Sequence, residues 1–185
     1  MTLEQIREQV NICQRCGLFK TKTNYVFGEG DANAQIIFIG EAPGANEDKE
    51  GRPFVGRAGG ILDDLLTSIN LNRDDIFICN ILKCRPPENR SPSNNEIIAC
   101  TPFLDRQIEI IKPKIICTLG NFATQYIMKK YGLKIDAISK LHGKSFKIAT
   151  INGTIKIVPL YHPAVATYNP DMKKVLIKDF KVIIK

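Results

Sequence analysis

No run of apolar residues in this 185-residue sequence approaches the roughly 20 needed to cross a bilayer, so a transmembrane helix is not expected. A secretion signal is not expected at its start either. Its first ten residues mix charges with Leu3, Ile6 and Val10 at helical spacing, and lack an uninterrupted apolar core. There is no internal repeat and no low-complexity segment, which excludes a repeat array or a biased disordered tract. Acidic side chains are the scarcer charge, 19 Asp+Glu against 26 Lys+Arg, for a net +7. That deficit admits a polyanionic partner through phosphate neutralisation, although the same charge also serves plain solubility. The expectation is a cytoplasmic protein without a membrane partner, monomeric, with one domain over 1–185, because this length suits a single core.

Disulfides are rare inside cells, so six cysteines need another explanation. Cys13 and Cys16 have the two-residue gap that lets both thiolates reach one metal centre, and Cys84 and Cys100 supply a second pair. Four thiolates suit zinc or an iron–sulfur cluster. The second gap is wider than a zinc-ribbon knuckle, but both centres accept four soft ligands and the spacing leaves the choice open. Cys79 and Cys117 fall inside apolar strand patterns and read as small buried hydrophobes.

Four short, apolar, β-branched segments read as buried strands: 35–40, 76–80, 114–119 and 155–160. Helical patterns separate them. Thr2 and Gln5 form a capping box for the first helix. Ile61, Leu62, Leu65, Leu66 and Ile69 make one apolar face, Ser93 and Glu96 cap another helix, and a further one covers about 121–130. The fold class expected is α/β, with a central four-stranded, mainly parallel sheet flanked by helices on both faces. Ligands of such sheets bind beyond the carboxyl ends of the strands. Pro86, Pro87 and Pro92 stiffen the loop after the second strand. The tail from Lys173 to Lys185 reads as a closing amphipathic helix with a solvated basic face, a partner-binding tail being the alternative.

The first strand runs into Gly40-Glu41-Ala42-Pro43-Gly44, and Gly51-Arg52-Pro53-Phe54 follows soon after. Glycines here permit close backbone approach, and their amides could face a phosphate or an anionic leaving group. The loop lacks the Lys-Ser/Thr ending of a P-loop and the G-x-G-x-x-G spacing of a dinucleotide site.

Together with the cysteine pairs, Asn80 ending the second strand and His162-Pro163-Ala164 after the last, these motifs resemble the family 4 uracil-DNA glycosylases, the iron–sulfur branch known mainly from thermophiles. The resemblance spans nearly the whole chain. It implies a structural [4Fe–4S] cluster on Cys13, Cys16, Cys84 and Cys100, and uracil-containing DNA, single- or double-stranded, as the substrate. It also implies a monofunctional hydrolase of base excision repair, which flips uracil out of DNA and cuts its N-glycosidic bond. By the same resemblance Gly40, Glu41, Ala42, Gly44, Glu47, Phe54, Asn80 and His162 hold the base. Phe54 would stack on it, Asn80 would accept from N3–H and donate to O4, and Glu47 would crowd C5, where thymine carries a methyl. Glu41 and His162 are the expected catalytic pair: a carboxylate near the sugar or its water, and a donor to uracil O2.

Beyond these, His142 matches no expected position and reads as a surface turn residue. Val165-Ala166-Thr167-Tyr168 departs from the bulky aliphatic residues of many relatives, so Tyr168 is the candidate to stack on exposed bases. Arg52, Arg57, Lys83 and Arg85 are candidate phosphate contacts, and the lysine-rich tail a candidate site for a replication clamp. Two rival readings are a non-catalytic DNA-binding module and an iron–sulfur redox protein; the second leaves the Gly40–Gly44 and His162 motifs without a purpose.

Overall fold

The computed structural model describes residues 1–151 and 153–185. In chain order its regular elements are α1 (Leu3–Asn11), β1 (Glu29–Gly30), β2 (Ile36–Gly40), α2 (Ala45–Glu50), α3 (Arg57–Thr67), β3 (Phe77–Asn80), α4 (Asn94–Ile111), β4 (Ile115–Leu119), α5 (Asn121–Lys130), α6 (Ile138–Leu141), β5 (Phe146–Thr150), β6 (Gly153–Leu160), α7 (Val165–Tyr168) and α8 (Met172–Phe180). The strands form one sheet in the order β1-β3-β2-β4-β6-β5. Its middle four are parallel, β3 with β2, β2 with β4 and β4 with β6, and they are the four strands expected. The sheet is wider than four strands, because β1 and β5 add antiparallel edges. The apolar run-length signal could not see either: β1 has two residues, and β5 alternates half-buried with exposed positions along an open edge.

Alternation along each strand divides the core in two. Ile37, Ile39, Phe77, Cys79 and Ile116 point to the face covered by α1, α4 and α5. Phe38, Ile78, Cys117 and Val158 point to the face covered by α3 and α8. Each fully buried aliphatic contributes about 1.5–3 kcal/mol of burial energy, so a one-residue slip in any middle strand would exchange its two faces at large cost. Pro159 is tolerated in β6 because, although in register with Thr118 of β4, it lies past Ile157, the last residue of β6 paired with β5, and its missing N–H faces that side, where its carbonyl accepts from Gly143 N–H. The tail does close the fold, through α8 and a short turn. Its apolar residues Leu176, Phe180 and Ile183 are inside the core, which leaves the lysines and Ile184 at the surface.

Helix α4 carries the expected capping box. Glu96 N–H meets Ser93 Oγ at 3.4 Å, and Ser93 N–H donates to Glu96 Oε2 at 2.8 Å. Arg90 adds a two-pronged pair to the same carboxylate, at 2.6 and 2.9 Å. Arg90 and Ser93 hold the Glu96 carboxyl down to about 2, well below its ordinary 4.5. A depressed carboxyl stabilises the fold above its unfolded-state pKa and loses that contribution as pH falls through the folded value. Glu96→Gln is therefore expected to destabilise by about 1 kcal/mol at neutral pH. In thermal unfolding the gap between the two proteins should be full above about pH 4.5 and shrink steadily as pH is lowered towards 2.

Candidate active site

Strand register sets the site. Gly40 pairs with Asn80, so the carboxyl ends of β2 and β3 finish level and adjacent. Beyond them Ile81 N–H donates to Gly40 O and Leu82 N–H to Glu41 O, which holds the two outgoing chains together for another turn. The strand order reverses at β2, where open α/β sheets place their ligands. The cleft there holds about 370 Å³ and is lined by Glu41, Ala42, Gly44, Glu47, Phe54, Asn80 and His162, with Ala58, Asn89 and Ala164. Seven of the eight expected base-contacting residues thus share one wall. The eighth, Gly40, lies buried beneath them. A Cβ on Gly40 would collide with Asn80 Oδ1 and stand 2.7 Å from Phe54 Cζ, so glycine there makes room for both side chains.

Asn80 is 2% exposed, and its side-chain amide makes no hydrogen bond among the described residues, while its main-chain carbonyl is held by Lys83. Phe54 stacks on His162 with centroids 5.6 Å apart. The His162 ring has a defined tautomer: Ala164 N–H donates to Nδ1 at 3.2 Å, which leaves Nε2 to carry the proton. Burial lowers His162 to about 4, with Glu47 pulling weakly upward, so the imidazole is neutral at physiological pH. Glu41 is half-buried in the cleft, and burial alone pushes its carboxyl above the ordinary range.

Glu47 is anchored more firmly than a steric bumper requires. One oxygen accepts from Val55 N–H and Gly56 N–H at 3.1 and 3.0 Å, the other from Gly44 N–H at 3.1 Å. The carboxylate therefore bolts the Gly40–Gly44 loop to the Phe54 loop and occupies amides that looked free for an anion. Asp48 does similar work behind it, accepting from Thr23 N–H at 2.9 Å and Asn24 N–H at 3.3 Å.

The residue that sequence reading missed is Arg73, on the 3₁₀ turn before β3. Phe54 sits in the left-handed region at φ 52°, costly for an aromatic and held only by its surroundings. Arg73 supplies them: its guanidinium donates to the Phe54 carbonyl, to Pro53 O at 3.1 Å, to Glu29 Oε1 at 2.8 Å and to Asp63 Oδ1 at 2.6 Å. Arg52 pairs with the same Glu29 at 2.8 Å, so this expected phosphate contact is engaged elsewhere. Lys83 is a plain correction: it is 1% exposed and cannot reach DNA from inside the core. Arg85 donates to Asn89 Oδ1 at 2.8 Å, leaving Arg57 exposed and without an ion pair among the described residues. His142 does lie in a turn and is partly exposed, as expected, but it is not idle there. Its Nδ1 lies 2.7 Å from the buried Asp179 carboxylate, and its ring packs on Tyr161.

Cys13, Cys16, Cys84 and Cys100 line one cavity, otherwise walled mainly by Val10, Leu18, Phe19, Tyr25, Leu82 and Phe103. Cys79 and Cys117 lie fully buried elsewhere in the sheet. Lys83 N–H donates to Cys100 Sγ at 3.2 Å, and Tyr25 O–H to Cys13 O at 2.7 Å. Burial pushes Cys84 up to about 12, with the neighbouring thiols adding to it, and Cys100 up to about 11, with Lys83 pulling back. Thiols so placed stay protonated unless a cationic group draws the protons off. No three His, Cys, Asp or Glu side chains among the described residues converge as they would around a single ion. Four soft sulfurs about a largely apolar cavity suit a thiolate-bound metal centre, and zinc and iron–sulfur both accept such a set.

Comparison with known proteins shows the family to which the chain belongs. Residues 27–181 match the model of the uracil DNA glycosylase superfamily, and the chain belongs to that family. Within it, the chain falls with the type-4 enzymes. It is 52% identical to the type-4 uracil-DNA glycosylase of Sulfurisphaera tokodaii over 98% of this chain and 83% of that protein. The figures are 50% for the Saccharolobus solfataricus enzyme, over 98% and 84%, and 44% for that of Archaeoglobus fulgidus, over 98% and 92%. The superfamily match begins after Cys13 and Cys16, whereas the type-4 alignments take that segment in.

Two substitutions test this construction. Gly40→Ala should leave the fold intact by circular dichroism but abolish ligand binding in the cleft, because the methyl displaces both Asn80 and Phe54. Arg73→Ala should lower stability by about 1–3 kcal/mol in urea unfolding, the range expected for stranding a buried acceptor such as the Phe54 carbonyl.

Proposed function

We propose that this chain is a monofunctional uracil-DNA glycosylase that receives uracil flipped out of DNA in the Gly40–His162 cleft and hydrolyses its N-glycosidic bond, leaving an abasic site. The observation that carries the reading is the Asn80 amide, buried against the cleft with no protein partner. An amide that lines an open cleft and is claimed by no protein group is free to pair with a ligand that offers an acceptor and a donor edge together. Uracil O4 and N3–H are such an edge; cytosine presents the reverse pattern and leaves both atoms of the amide opposed.

Cleavage puts negative charge on the departing base and positive character on the sugar. His162, neutral and protonated on Nε2, donates to uracil O2 as that charge develops, an interaction worth about 3–4 kcal/mol for a preorganised donor. Glu41 faces the sugar side, where its carboxylate stabilises the cation or orients the attacking water. Glu47, held by three amides, cannot swing aside for the methyl of thymine, which keeps normal DNA out. Tyr168, 89% exposed at the end of α7, stacks on bases beside the vacated position. Cys13, Cys16, Cys84 and Cys100 hold a [4Fe–4S] cluster whose bonds fix the loops around the cleft rather than pass electrons.

The test uses brown, cluster-loaded protein and single- or double-stranded oligonucleotides carrying one uracil or one thymine, treated with alkali after incubation. Strand breaks at uracil alone, reduced about 10²–10³-fold in His162→Ala, are expected from the donor's worth. Intact strands despite DNA binding would instead make the chain a binding module. The acid limb of the rate belongs to Glu41: activity falls as pH drops through a carboxyl raised above 4.5, and Glu41→Gln should flatten that limb at a low rate.

A further inference from the structure

Lys83 lines the cysteine cavity, bonds the main chain of the cleft residue Asn80, is 1% exposed, and makes no ion pair with any carboxylate among the described residues. A lysine this deeply enclosed without an acid is rare and costly, so its two hydrogen bonds matter. Nζ donates to the Asn80 main-chain carbonyl at 2.9 Å and to Gln107 Oε1 at 2.7 Å. Gln107, 0% exposed on α4, uses its own Nε2–H on Phe27 O at 2.9 Å. Both anchors belong to the segments that carry thiols: Lys83 adjoins Cys84 and donates its N–H to Cys100 Sγ at 3.2 Å, while α4 carries Cys100 and Gln107 together.

We propose that Lys83, held by Gln107, is a positioning residue that orients the Asn80 amide and couples the four-cysteine wall to base recognition. The inference rests on the uracil-DNA glycosylase reading. A shift of α4 or of the Lys83–Cys84 segment moves one or both anchors of the Asn80 carbonyl, and the amide on the same residue turns with it. Without Lys83 the strand end keeps its β2 pairing and the Ile81 N–H bond to Gly40 O, but the carbonyl side of the Asn80–Ile81 peptide loses its donor and is free to tilt.

The experiment compares wild type, Lys83→Met and Gln107→Leu, each purified with its visible chromophore. Four quantities are read: chromophore absorbance, melting temperature, affinity for an abasic-site oligonucleotide, and the concentration of free uracil that halves excision. Both variants are expected to keep the chromophore and wild-type affinity for abasic DNA, while half-inhibition by uracil moves up tenfold or more and excision at saturating DNA falls by a similar factor. Gln107→Glu, which keeps an acceptor for Lys83, should recover most of the uracil affinity. Replacing Cys84 by Ser should weaken uracil inhibition in the wild-type background and add little to Lys83→Met, the non-additivity that shared coupling demands. Unchanged uracil inhibition in Lys83→Met and Gln107→Leu, with wild type excising normally, overturns the proposal. Should Lys83→Met not fold, Gln107→Leu alone decides in the same way. A wild type that excises no uracil removes the underlying reading, and this inference with it.

Discussion

The pairing of Gly40 with Asn80 at the level ends of two parallel strands is the constraint on which the rest of the site depends. It brings a residue with no side chain beside one with an amide, and the missing Cβ is the space that Asn80 and Phe54 occupy. Everything further out is referred to that pair. Glu47 bolts the loop leaving Gly40 to the loop carrying Phe54, Arg73 holds Phe54 in a backbone conformation it would not choose, and Phe54 in turn packs on His162. A glycine and a strand register thus do what no single catalytic side chain could, setting where four others converge.

The cleft holds its hydrogen-bond donor uncharged until the reaction begins. His162 is neutral because it is enclosed, and its proton sits on Nε2 because an amide two residues on claims Nδ1. Glu41 is pushed upward by the same enclosure without a compensating cation. One desolvated cleft therefore shifts an acid and a base in opposite directions, so that the His162 donor is neutral as negative charge develops on the departing uracil, while Glu41 keeps its role as a carboxylate above its raised titration point.

Much of this was legible in advance, for identifiable reasons. The four middle strands declared themselves because both their faces are buried, which writes uninterrupted β-branched runs, and α1 and α4 announced their starts by capping boxes whose partners are three residues apart. Local signals sufficed there. The edges β1 and β5 carry no such signal, since one face or most of their length meets solvent. Lys83 and Arg73 were misread or missed because the feature that defines each is a partner far along the chain: Gln107 on α4 for one, the Phe54 loop for the other. The same holds for Glu47, whose three amides lie on two separate loops. Asn89 reaches the cleft through two successive left-handed residues, Glu88 and Asn89, inside the proline-stiffened loop, and asparagine's tolerance of that conformation was the one available hint.

The cysteine cavity draws on residues 13 and 16 from one end of the chain and 84 and 100 from its middle. A group bound there closes a loop that contains β1, β2, α2, α3 and β3, and so removes more freedom from the unfolded chain than a link between neighbours would. It also imposes an order on biogenesis. During synthesis the amino-terminal thiols emerge first and wait, unpartnered, until Cys100 has cleared the ribosome, so a four-thiolate site can be filled only after α4 has begun to form.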